Sequence, residues 1–168
     1  MVGARYIGGV VLSLGLLLVA IWWGFAYFHE AIYEYFDMES SYTLFFEEIG
    51  VSVTVADEPA QWQKGLSGTP ALGELEGKLF VFDTEGTYGI WMKDMLFALD
   101  ILWIDDSLQV VHIEESVTPE TYPRTFASPM PARFVLEVND GFVASFGIEV
   151  GATISMPRAV VPSDLQGI

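Results

Sequence analysis

The chain of 168 residues contains no cysteine, which excludes disulfides and thiolate metal sites and leaves the redox state of its compartment open. Basic residues are scarce too: seven Lys and Arg stand against twenty-three Asp and Glu, a formal net charge of −16. A chain this acidic repels nucleic-acid phosphates, and no basic patch offsets the repulsion, so no nucleic-acid partner is expected. No serine lies in a Gly-x-Ser-x-Gly elbow. Gly141, Gly147 and Gly151 follow neither the dinucleotide-binding spacing nor that of a P-loop. No cofactor is indicated. Internal repeats and low-complexity segments are missing as well, and the length suits one domain with an appendage.

What is present begins with a run free of charge. From Ile7 to Phe28, "IGGVVLSLGLLLVAIWWGFAYF", no charged residue occurs over twenty-two positions. As a helix rising about 1.5 Å per residue, that run spans roughly 33 Å, enough to cross the hydrocarbon core. Trp22, Trp23, Tyr27 and Phe28 gather at its far end, where aromatic rings favour the headgroup layer. A cleaved signal peptide would have a shorter apolar region and a small-residue cleavage site, which "FHEAIYEYFD" does not supply. The expectation is an uncleaved transmembrane helix within residues 1–28, with the lipid bilayer as partner through residues 7–28. Arg5 precedes the span and acidic residues follow it, which places the N-terminus in the cytoplasm and the remainder outside. The protein is thus expected at the cell membrane, single-pass, with an extracytoplasmic C-terminal domain. Without Arg5, residues 29–168 hold six basic and twenty-three acidic residues, a formal charge of −17.

Residues 29–46 read as a tether, 47–157 as the globular head and 158–168 as a flexible tail. In the head, "VSVTVA" (51–56) alternates apolar and polar residues as a half-buried strand does. "DEPAQWQKGL" (57–66) carries Asp57 as a cap, Pro59 in the first turn and Gly65 near the stop, which predicts a short helix. "KLFVF" (78–82), "YGIWM" (88–92), "ALDILWI" (98–104), "SLQVVHIEESV" (107–117), "RFVLEV" (133–138) and "TISM" (153–156) are strand-like, with a hairpin turn at Asp105 and Asp106. "TPETYPRTFASPMPA" (118–132), with four prolines, reads as loop or extended connector. "NDGFVASFG" (139–147) reads as a second short helix ending at Gly147. The predicted fold is mainly β, an antiparallel sandwich or barrel with two short helices, preceded by one N-terminal transmembrane helix.

The order "GL" (65–66), "KLFVF", "WMKDM" (91–95), "LDILWID" (99–105), "VVHIEESVTP" (110–119), "FVLEV" (134–138) and the three spaced glycines resembles the DUF192 family, also called UPF0127. The resemblance covers roughly residues 50–157 and implies a compact, mainly β fold, often exported or membrane-anchored. It brings no function. Departures are visible: the family usually has methionine where this chain has Ser67, asparagine–threonine where it has Asp94-Met95, and often aspartate where it has Ala152.

The candidate site comes from charges lodged in apolar strands. Lys93 and Asp94 follow Trp91 and Met92, and Asp100 and Glu137 each interrupt an apolar run. A charge in a buried strand costs several kcal/mol unless paired. Asp100 therefore requires Lys93, Arg133 or backbone amides as partner, and Glu137 poses the same question. Three readings stay open for the Trp91–Asp94 box: a solvated turn, a buried ion pair that fixes strand register, or a ligand pocket. In the last, Trp91, Lys93, Asp100 and Glu137 converge at one rim of the sheet beside Asp94. The function that follows is a binding module for a small polar ligand or envelope glycan. Two alternatives are a carboxylate-dependent hydrolase using Asp100 and Glu137 as acid and base, and a head that contacts other envelope proteins. His112 and Glu114 share a strand face, but a zinc site needs more ligands than they supply, so no metal is expected.

Overall fold

Alternation within the strands decides the architecture. The computed structural model describes Trp23, Gly24 and residues 41–166, and the chain divides at Ser40, which opens a separate unit running to Ile168. Apart from Trp23 and Gly24, the expected membrane span lies outside the described residues, and among those described no helix is long and apolar enough to cross a membrane. The elements are β1 (Ser41–Phe46), β2 (Ile49–Ala56), α1 (Pro59–Lys64), β3 (Glu76–Gly86), β4 (Gly89–Trp91), β5 (Leu99–Ile104), β6 (Val110–Val117), a 3₁₀ turn (Pro119–Thr121), β7 (Thr125–Ala127), β8 (Ala132–Asn139), α2 (Phe142–Phe146) and β9 (Ile154–Ser155).

Seven strands form one sheet in the order β6-β5-β8-β3-β2-β1-β9, and β4 pairs with β7 in a separate ribbon. The sheet curls until its ends meet: Val110 N donates to Ala152 O (2.9 Å), Gly151 N to Val110 O (2.8 Å) and Ile154 N to Leu108 O (2.9 Å). In the central strands, successive side chains enter different cores. Leu102, Ile104, Phe134, Leu136, Val138, Leu79 and Val81 join Leu44, Phe46, Val51, Val53 and Ile154 inside the curl, where α2 adds Phe142 and Val143. Leu99, Ile101, Trp103, Val135, Phe80 and Phe82 pack outward against Ile90, Met92, Met95 and Phe126, with Trp62 of α1 laid over them. Every residue of β5 is fully buried because both of its faces are covered. Burying a side chain as large as Leu, Phe or Met stabilises by about 1.5–3 kcal/mol, and the central strands take that gain on both faces.

Five differences from the sequence-based expectations have physical causes. Residues 41–46 are not tether but strand β1, paired with β2 and burying Leu44 and Phe46; the alternation of Tyr42, Leu44 and Phe46 carries the signal. The sheet is not wholly antiparallel, because α1 carries the chain from β2 to a parallel neighbour, β3. The proline-rich 118–132 contains β7, whose Phe126 is buried and which pairs with β4; three residues are too few to show a period. The helix α1 is capped from Glu58 rather than Asp57, and Gln61 Oε1 accepts from both of their backbone amides, at 3.0 and 2.9 Å. The segment after Pro157, expected as a flexible tail, folds back: Val160 joins the inner core and Asp164 pairs with Arg133.

Candidate functional site

Register separates the two carboxylates that the sequence suggests as a pair. On adjacent strands, Asp100 lies opposite Val138 and Ile101 opposite Glu137. That offset of one residue sends the two side chains to opposite faces of the sheet. Asp100 enters the curl and Glu137 enters the outer core.

Asp100 is fully buried, and both its oxygens are used. Oδ1 accepts from Ser116 N (2.9 Å), an amide freed where β6 bulges between its pairings with Leu99 and Ile101. Oδ2 accepts from Val143 N (2.9 Å) in the first turn of α2, where no intrahelical partner exists. Of the partners the sequence allowed, backbone amides are the ones found. Asp100 therefore ties a strand, a bulge and a helix together.

Glu137 is the contrasting case. It lies opposite Lys78 across the β3–β8 pairing, and both residues are buried. Its Oε2 is buried without a hydrogen-bond partner. Burial pushes its carboxyl up to about 8, against the opposing pull of the Lys78 ammonium, so the acid form predominates at neutral pH. Glu137 lines a cavity of about 250 Å³ walled by Trp62, Phe80, Trp91, Leu66, Ile90 and Met95, with Gln63, Lys64 and Ser67 among its other lining residues. Trp91 is half-exposed where it lines this cavity. Gly65, with φ +48°, is essential to the opening. A Cβ built there would stand 3.1 Å from the Phe80 ring and 3.9 Å from Glu137 Oε2, and a left-handed backbone disfavours any side chain.

Of the five residues singled out in the sequence, Trp91 and Glu137 share this cavity. Lys93, Asp94 and Asp100 do not line it, so the expected convergence of all of them is corrected. Lys93 and Asp94 form an exposed turn after β4 whose backbone does the work: Lys93 O accepts from Ser67 Oγ (2.7 Å) and Asp94 O accepts from Gly68 N (2.9 Å). Asp94 has φ +54°, a conformation that Asn and Asp tolerate better than most residues, which accounts for an Asp where the family usually has Asn. The hydrolase reading also fails, because a sheet stands between its two carboxylates. Sequence reasoning missed Lys78, Trp62, Gly65 and Phe80 as site residues. A lysine heading the apolar run "KLFVF" was the available signal for Lys78.

His112 Nε2 and Glu114 Oε1 lie 3.2 Å apart on a half-buried strand face. Among the described residues no group of three or more His, Asp or Glu is placed to hold a metal ion. Arg133 is a further buried charge: its Nη2 donates to both Asp164 oxygens at 2.9 and 3.0 Å, and its Nη1 lies 3.7 Å from Asp106. Burial, and next the Glu85 carboxylate, raise the Asp106 carboxyl above its usual range.

The sequence profile of DUF192, described as an uncharacterized ACR, matches residues 45–156. The chain belongs to that family. A crystal structure from Sinorhizobium meliloti 1021, described provisionally as a transcription regulator, shares 25% identity at a TM-score of 0.66, covering 70% of this chain and 95% of that one. A protein of unknown function from Novosphingobium aromaticivorans DSM 12444 gives 24% identity and a TM-score of 0.63, over 70% and 84% of the two chains. Among curated proteins the search finds no match. These likenesses carry the fold: a curled, mainly β sheet with two short helices.

Proposed function

We propose that the chain is a binding module for a small polar ligand, held at the cell membrane by residues 7–28 with its acidic head on the outer side. One observation carries the binding reading: a buried carboxyl oxygen, Glu137 Oε2, has no partner and belongs to a residue lining an aromatic-walled cavity. A buried polar atom left unpaired costs about 1–3 kcal/mol, and a ligand that pairs with it recovers that loss. Mostly apolar walls with one or two placed polar groups are the usual make-up of a ligand pocket. Support for the tether is the uncharged run of twenty-two residues and its aromatic end. The regulator description of the Sinorhizobium neighbour does not transfer, since a head of this charge repels phosphates.

A screen by saturation-transfer NMR tests the binding reading. A library of small polar fragments is applied to the full chain in detergent, beside the variant Ile90→Phe, which places a ring into the cavity from its wall. Fragments that bind the native chain and not the variant are expected; a library in which filling the cavity removes no hit overturns the reading. Carbonate extraction of membranes tests the tether, with the chain expected to stay in the pellet and its release to the supernatant ending that part of the proposal.

A further inference from the structure

We infer, resting on the binding reading above, that the cavity over Glu137 takes a flat apolar ring bearing one neutral polar head, a molecule of the phenol or aryl-alcohol class. Two other small polar classes, sugars and organic cations, fit it worse for reasons of geometry and charge.

Volume comes first. A cavity of about 250 Å³ equals roughly eight waters at their liquid volume of about 30 Å³ each, which suits one ring with a short substituent. The chemistry of the walls comes next. Trp62, Phe80 and Trp91 supply aromatic faces, Leu66, Ile90 and Met95 add apolar surface, and Gln63, Lys64 and Ser67 are the polar residues of the lining beside Glu137. Rings pack on such faces in offset or edge-to-face arrangements. The unpartnered atom is the Glu137 oxygen. A carboxyl group accepts through one oxygen and, when protonated, donates through the other, so a hydroxyl matches it in either sense.

A sugar ring presents hydroxyls all around its edge. Gln63, Lys64 and Ser67 lie within the lining, but a hydroxyl that faces Leu66, Ile90, Met95 or Phe80 has no partner, and each such loss weakens binding by roughly tenfold. An organic cation would gain from the aromatic rings. It would also meet the ammonium of Lys64 in the cavity lining, which opposes it. A neutral head avoids both penalties. Gly65 completes the case, since its missing side chain leaves space next to both Phe80 and Glu137 Oε2.

The test titrates the full chain in detergent with four probes by ligand-observed NMR: phenol, toluene, methyl glucoside and benzyltrimethylammonium. Phenol is expected to bind at least tenfold more tightly than toluene, because only phenol pairs with Glu137. Its affinity is expected to fall at least tenfold in Ile90→Phe and in Gly65→Ala; should Gly65→Ala not fold, Ile90→Phe alone decides. Equal binding of phenol and toluene overturns the inference. Binding of the glucoside or the ammonium probe with phenol silent overturns it too, and leaves the binding module standing. Silence of all four probes overturns the inference, and a fragment screen in which filling the cavity removes no hit overturns the binding reading as well.

Discussion

Two carboxylates sit on adjacent central strands, one residue apart in register, and the protein treats them in opposite ways. Asp100 faces the inside of the curl, where two backbone amides take its oxygens. Glu137 faces outward with one oxygen unpaired beside a cavity. Depth of burial is nearly the same, so what differs is the supply of donors. A bulge and a helix start happen to lie over Asp100, and Gly65, Leu66 and an aromatic wall lie over Glu137. A buried acid that is fully paired serves architecture, whereas one left unpaired beside open space is available for recognition.

Four experiments break or sharpen that contrast. The largest effect concerns pH. Because the folded-state value of Glu137, about 8, lies above the ordinary 4.5, the native state keeps a proton that the unfolded chain has released. Its contribution is therefore fully present below about pH 4.5 and is lost as pH climbs to about 8, on the order of 5 kcal/mol in all. The facing charges are Lys78, opposite in the sheet, and Lys64, in the cavity lining. Denaturant unfolding at pH 5, 7 and 9 should show this slope in the native chain and not in Glu137→Gln; identical slopes would make the two carboxylates alike. Next, Asp100→Ala strands the buried amide of Val143 and the part-buried amide of Ser116 and should cost about 3 kcal/mol at pH 7, and Asp100→Asn about half of that, since an amide oxygen still accepts. A loss below about 1 kcal/mol in the alanine variant would refute the architectural role.

A third buried charge gives the scale for a partner in water. Asp164 is mostly exposed where it meets Arg133, so Asp164→Ala should cost about 1 kcal/mol, less in high salt. A cost as large as that of Asp100→Ala would show that exposure of the partner does not matter. The smallest effect is at the turn. Asp94→Ala should lose about 1 kcal/mol to its left-handed backbone, and Asp94→Gly should be neutral or gain a few tenths, both by thermal unfolding. If neither changes binding to the cavity, the turn is scaffold only.

Much of this was legible beforehand. Alternation found most strands, and Pro59 and Gly65 bracketed the first helix. Charges within "ALDILWI" and "FVLEV" pointed to buried carboxylates that need an explanation. Pairing register was not legible, because nothing local states that Ile101 rather than Asp100 faces Glu137, and that single step decides which residues meet. Lys78 and Glu137 are far apart in sequence and become neighbours only when β8 inserts between β3 and β5. Trp62 lies within the predicted short helix; its place over the cavity depends on where the crossover from β2 to β3 lays that helix. Phe126 was hidden among prolines, since a strand of three residues has too little length to repeat.

The joined ends of the sheet carry a further consequence. Where 108–110 meet 151–154, the backbone groups that would otherwise template an incoming chain are already occupied. Along the rest of β6 the border bears His112, Glu114 and Glu115, and acidic side chains there deter a second molecule from lying alongside. The stretch that reads at first as half of a metal site is better understood as a charged border that discourages edge-to-edge pairing between copies of the sheet.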